Sequence, residues 1–200
     1  MKNEPIESRE ETWSVFQCIQ NTALELFSKR GYENVSVEDV CAAADLTKPT
    51  FYRHVASKKA LFLSFFQVTE NELSFLQDLE KYADPIQGIL TIYRFFFEVC
   101  SQYGRDMFTT LIQLTLLSPR AEFDPKNELK QTLLHLIDKG QRNGTINNDL
   151  ELETMLSVLN SYYYGYCFFY CSRAEETGGM EECCSQMRHL LETGGKCHEG

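Results

Sequence analysis

The sequence predicts an all-α chain of about nine helices, with three short ones at the front and a larger bundle behind. Three observations carry that expectation. Apolar residues recur at three- and four-residue steps almost throughout. Strand-like alternation is weak. Asp-Pro, Ser-Pro, Asn-Gly and Gly-Gly positions punctuate the chain at intervals that suit helices. The chain has 200 residues, 43% hydrophobic and 24% charged. That is ample for a sizeable core and argues against intrinsic disorder.

Phe16, Ile19, Ala23, Leu26 and Phe27 give an apolar face to a first helix of about 10–30, and Gly31, after Lys29 and Arg30, ends it. Ser36 caps a short second helix, about 37–44, with Asp39 three residues on as a variant of the capping box. Val37, Val40, Cys41 and Ala44 fall on one face of it. Asp45 and Leu46 form a tight turn, since aspartate is one of the few non-glycine residues that accept a left-handed backbone. Thr47 caps a third helix, about 48–55, with Pro49 in its first turn, where proline does no harm. Phe51 and Val55 point inward at i and i+4, which leaves Lys48, Thr50, Tyr52 and Arg53 outward or along the flanks. Ser57 caps a long fourth helix carrying Leu61, Phe62, Phe65, Phe66, Leu73 and Leu76. Five more helices are expected at about 86–103, 105–117, 126–142, 149–173 and 180–193.

Several function classes fall away on composition. No apolar run reaches the 18 or so residues that span a bilayer. The nearest, Val158 to Cys171, is short and holds Asn160 and five tyrosines. The polar start MKNEPIESREET lacks the apolar stretch of a signal peptide, so a cytoplasmic protein without membrane contact is expected. The eight cysteines form no CxxC pair and read as reduced thiols. No nucleophile elbow, phosphate loop, zinc-protease helix or dinucleotide fingerprint is present, and His54, His135, His189 and His198 stand without an obvious nucleophile. Neither an enzyme nor a cofactor or metal is expected.

The net charge of -10 argues at first sight against nucleic acid, but its distribution does not. Residues 46–60 hold Lys48, Arg53, Lys58 and Lys59 with no acid, whereas residues 61–200 hold 11 basic and 20 acidic residues. Charges are screened beyond about 8 Å at physiological salt, so the local patch decides. Two short helices joined by a tight turn, the second polar and basic at its start, meet the needs of a helix-turn-helix.

The segment IQNTALELFSKRGYENVSVEDVCAAADLTKPTFYRHVASKKALFLSFF, residues 19–66, resembles the DNA-binding domain of the TetR family of bacterial transcriptional repressors. LFSKRGY, SVEDVCAAADL and above all TKPTFYRHVASKKAL carry the likeness, which covers roughly residues 10–66, about a third of the chain. The resemblance implies a three-helix DNA-binding domain over 1–57 and a helical ligand-binding and dimerisation domain over 58–200. It implies that Lys48, Pro49 and Thr50 face base edges or adjacent phosphates. Tyr52, His54, Lys58 and Ser36 match positions that reach the phosphate backbone, and Arg53 stands at a variable position. Two departures are visible: Asp45 replaces a common glycine, and Cys41 stands where alanine is usual, which would make DNA binding sensitive to oxidation.

A lone helix-turn-helix binds DNA weakly, and specific sites are usually read by dimers with recognition helices about 34 Å apart. The middle of 149–173 is apolar on nearly every side, which predicts burial against its own domain and against a partner chain. With 180–193 it is the expected homodimer interface, and the TetR resemblance points to the same pair. Tyr93, Phe97, Tyr103, Phe108, Tyr163, Tyr166 and Tyr170 supply rings and hydroxyls suited to a flat or lipophilic small-molecule inducer. The expected protein is a repressor released from a palindromic double-stranded operator by such a ligand. Two alternatives stay open: a thiol- or metal-responsive regulator using Cys167, Cys171, Cys183, Cys184 and Cys197 with His189 and His198, or a helical protein-interaction module without DNA binding.

Overall fold

A computed structural model describes residues 6–67, 83–116, 127–172 and 179–193, together with Ser74 and Asp78. Among these residues there are helices and no strand: α1 (Ile6–Arg30), α2 (Val37–Ala43), α3 (Lys48–His54), α4 (Lys58–Ser64), α5 (Pro85–Ser101), α6 (Arg105–Leu116), α7 (Asn127–Asn143), α8 (Leu152–Ser172) and α9 (Gly179–Thr193). The all-α class is as the apolar periodicity predicts, and nine helices stand among the described residues.

Local signals place the front helices. α1 ends at Gly31, whose φ of 78° is a left-handed conformation that glycine adopts without the clash of a β-carbon. Ser36 and Asp39 close a reciprocal capping box at the start of α2. Asp45 turns the chain with φ 53°, as expected of an aspartate in that turn. The hydroxyls of Thr47 and Ser57 accept from the backbone N–H groups of Thr50 and Ala60, starting α3 and α4.

The fourth helix is shorter than the sequence suggests. It ends at Ser64, and the N–H groups of Phe65 and Phe66 bond three residues back, to Phe62 and Leu63, in a tighter turn. Leu73 and Leu76, expected on its continuation, lie outside the described residues, as do Cys197 and His198.

The chain divides into two compact units, Met1–Gln67 with Asp106–Leu114, and Val68–Arg105 with Thr115–Gly200. This differs from a boundary after Ser57. The first unit has a core of Ile19, Ala23, Phe27, Val35, Val40, Phe51, Leu61 and Phe62, each almost fully buried. Phe62 meets Phe27 at 5.8 Å and Tyr32 at 4.9 Å between ring centroids, and Gln20 donates to the Ser64 hydroxyl at 2.8 Å. Those rings draw α4 into the first unit.

In the second unit α5 packs on α7 and α9, and α8 packs on α7 and α9. Ile89, Ile92, Leu136, Ile137, Leu159, Met187 and Leu191 fill its centre. Gly140 of α7 touches the loop behind it: a β-carbon there would lie 2.4 Å from Cδ1 of Ile146. The same loop anchors α9, since Asn147 donates from its backbone N–H to the Leu191 carbonyl at 2.9 Å and from its side chain to the carbonyls of Leu190 and Leu191. No described helix is long and apolar enough to cross a membrane.

Candidate nucleic-acid interface and the rear aromatic cluster

Helix α3 is anchored by one side and presents the other. Phe51 is fully buried and Val55 nearly so, while Lys48, Pro49, Tyr52 and Arg53 are exposed. Tyr52 follows Phe51 by one residue, a 100° turn of the helix, and stands 54% exposed with its ring edge-on to Phe51 at 5.3 Å. Thr50 is half-buried, and its hydroxyl meets that of Thr47 at 2.9 Å.

Two expected phosphate ligands, Lys58 and Ser36, bond within the chain, and a third, His54, is half-buried. His54 follows Phe51 by three residues and so shares its inward side; it is half-buried, and its Nε2 is buried without a hydrogen-bond partner. The Lys58 ammonium donates to the carbonyl oxygens of Tyr32 and Val35, each at 2.9 Å, and lies 4.1 Å from the Tyr32 ring centre. Its place is inside the first unit, tying the α1–α2 loop to α4. Ser36 is exposed, with its hydroxyl accepting from the Asp39 N–H at 3.1 Å.

Acidic partners, missed in the sequence, surround the start of α2. Arg30 pairs with Asp39 at 3.4 Å, and Lys48 pairs with Glu38. The Lys48 hydrogen bond and charge hold the Glu38 carboxyl below its ordinary range, and the same contact raises Lys48. Ten residues separate the two in sequence, and only the Asp45 turn brings them together. Cys41 is buried under this surface, and burial raises its thiol. That disfavours the thiolate on which oxidation depends.

In the second unit the tyrosines and phenylalanines form a connected group. The Tyr93 hydroxyl donates to Asn160 at 2.7 Å, and its ring lies 5.1 Å from that of Tyr163. Phe97 meets Tyr166 at 6.0 Å and Tyr170 at 5.0 Å. The Arg105 guanidinium sits over Tyr170 at 5.1 Å. Burial raises the hydroxyls of Tyr93 and Tyr163 far above the ordinary phenol range, so both remain neutral donors. Tyr103 is half-buried. Phe108 is buried, in the Asp106–Leu114 stretch that groups with the first unit.

The cysteines are mostly interior. Burial pushes the thiols of Cys100, Cys167 and Cys183 up to about 12. A thiol so placed is protonated at neutral pH and a poor nucleophile. Among the described residues no three His, Cys, Asp or Glu side chains gather as a metal set.

Helix α8 is not covered on all sides within the chain. Met155, Leu156, Leu159, Tyr163 and Cys167 are buried, but Val158, Tyr164, Phe168 and Phe169 are exposed, the last two at 57% and 53%. The outward face of α9 is polar, with Glu181, Glu182, Ser185, Gln186 and His189.

Residues 19–65 match the family profile of the bacterial regulatory proteins, tetR family. The HTH-type transcriptional repressor DhaR of Mycobacterium sp. (strain GP1) is 24% identical over 159 residues, 76% of this chain and 79% of that protein. The HTH-type transcriptional regulator TcmR of Streptomyces glaucescens is 34% identical over 73 residues, 36% of this chain and 32% of that protein. Among solved structures, Thermus thermophilus FadR, a TetR-family transcriptional repressor in complex with lauroyl-CoA, aligns with a TM-score of 0.61 at 21% identity over 88% of this chain and 92% of that one. Salmonella enterica GusR aligns with a TM-score of 0.56 at 16% identity over 89% and 95%. At those identities the structural likeness speaks for the fold, and the profile match speaks for the front domain. That front domain, with its short capped helices and outward-facing α3, is similar over residues 19–65 to the tetR family of bacterial regulatory proteins.

Proposed function

We propose that this regulator is a cytoplasmic repressor that binds a palindromic double-stranded operator as a homodimer and is released by a small lipophilic or aromatic molecule. The observation that carries DNA reading is the two-sidedness of α3: Phe51 and Val55 fix the helix, while Lys48, Pro49, Tyr52 and Arg53 stand free of the core at its outer side. That arrangement suits a helix whose leading end enters a major groove while flanking donors hold the backbone.

The aromatic stripe on α8 supports the dimer. Val158, Tyr164, Phe168 and Phe169 are exposed apolar residues on the helix whose other side buries Met155, Leu156, Leu159, Tyr163 and Cys167, and a second copy would cover them, with the polar face of α9 as rim. The ligand reading rests on Tyr93, Phe97, Tyr163, Tyr166 and Tyr170. The neutral hydroxyls of Tyr93 and Tyr163 and the rings of the group suit an uncharged, apolar ligand, and the FadR of Thermus thermophilus was solved with lauroyl-CoA. The repressor sense follows the name of DhaR. A coupling of about 1–3 kcal/mol between ligand and operator would weaken operator binding about 5- to 150-fold.

Selection of bound duplexes from a random pool tests the reading directly. A palindromic site with half-sites about one helical turn apart is expected. A pool that never enriches would overturn DNA reading. Titration of the selected duplex with candidate ligands then tests release, and identical affinity with every ligand would leave a constitutive repressor.

A further inference from the structure

The pair formed by Glu38 and Lys48 stands beside the leading end of the recognition helix. Lys48 is the first residue of α3, and Glu38 is in the first turn of α2. Both side chains are more than half exposed. Exposed pairs of this kind contribute little to folding, so the consequence of the contact lies in where it puts the lysine charge. Asp39, the neighbouring carboxylate, is engaged by Ser36 and Arg30. Glu38 is turned to Lys48.

We propose that Glu38 is a positioning residue that withholds Lys48 from phosphate and presents it to base edges instead. The proposal rests on the DNA-reading role above and deepens it. A phosphate approaching Lys48 must also approach the Glu38 carboxylate, which repels it. A guanine edge carries no net charge and offers two acceptors to a lysine, so Lys48 can donate there while still paired. The pair therefore disfavours binding to arbitrary sequence more than binding to a matching one, a difference of affinities built partly on repulsion.

The test uses the full chain and a random-sequence duplex, with affinity measured by fluorescence anisotropy from 50 to 200 mM salt. Each phosphate contact adds about 0.9 to the slope of log affinity against log salt. Lys48→Ala is expected to keep the wild-type slope. Glu38→Gln is expected to steepen it by about 0.9, so that the same rise in salt weakens binding about 3.5-fold more than in the wild type. The increment should vanish in the Glu38→Gln, Lys48→Ala double variant, because it acts through the lysine. On the selected operator, Glu38→Gln should gain less than on random duplex, lowering the specificity ratio about threefold.

A Glu38→Gln slope equal to wild type overturns the proposal. So does an increment that persists without Lys48, or a wild-type slope that falls by about 0.9 in Lys48→Ala. Wild-type protein that holds no duplex at any salt overturns the DNA-reading role itself, an outcome separate from these.

Discussion

Lys58 and Tyr32 meet inside the first unit: the ammonium lies 4.1 Å from the ring centre and donates to the Tyr32 carbonyl at 2.9 Å. With the second bond to Val35, this lysine closes the α1–α2 loop onto α4.

Lys58→Ala is therefore expected to lower stability by about 1–2 kcal/mol, less than a fully buried charged hydrogen bond because the site is half open to water. Urea unfolding checks it. An unchanged midpoint together with weaker duplex retention would return Lys58 to a phosphate role.

Tyr52 and Phe51 should separate cleanly. Tyr52→Ala removes an exposed ring and is expected to change stability by no more than about 0.5 kcal/mol, while weakening duplex binding severalfold. Phe51→Ala empties a fully buried site and should cost about 3–5 kcal/mol. Thermal melts beside heparin retention distinguish the two; equal stability losses would contradict the two-sided α3.

Phe168→Glu, on the exposed stripe of α8, is expected to hold the chain as a monomer without unfolding it. Light scattering coupled to size exclusion reads the mass, and operator affinity should fall with it. A dimer that survives the charge would move the interface elsewhere.

Gly140→Ala places a β-carbon 2.4 Å from the Ile146 side chain, an overpacking expected to cost about 1–3 kcal/mol. Adding Ile146→Ala should offset much of that loss. Failure of the second change to relieve the first would show that the strain lies in the helix itself.

The interior thiols give stability a pH dependence. Cys100, Cys167 and Cys183 are held up to about 12 by burial. Unfolded, they ionise near 9, so the unfolded state sheds protons first as pH rises. Their contribution is complete below about pH 9 and is lost progressively toward pH 12. Unfolding midpoints measured across that range should fall. The same burial predicts that these thiols react slowly with a thiol reagent at neutral pH and quickly in urea.

Much of the front domain was legible in the sequence because its signals are local. Gly31, Ser36, Asp45, Thr47 and Ser57 act on their own backbone within a few residues, so caps and turns could be placed before any packing was known. The inward pair Phe51 and Val55 followed from helical phase alone, and so did the exposure of Tyr52. What one chain's periodicity could not supply was the partner across space. Lys58 looked like a surface cation until Tyr32 and Val35, 26 and 23 residues earlier, came beneath it. Glu38 met Lys48 only through the turn between them. Phe108 read as one of the rear aromatics, yet it packs with the front unit. Side-chain type and helical phase fix which way a residue faces on its own helix, whereas what it faces depends on chain segments that sequence spacing does not encode.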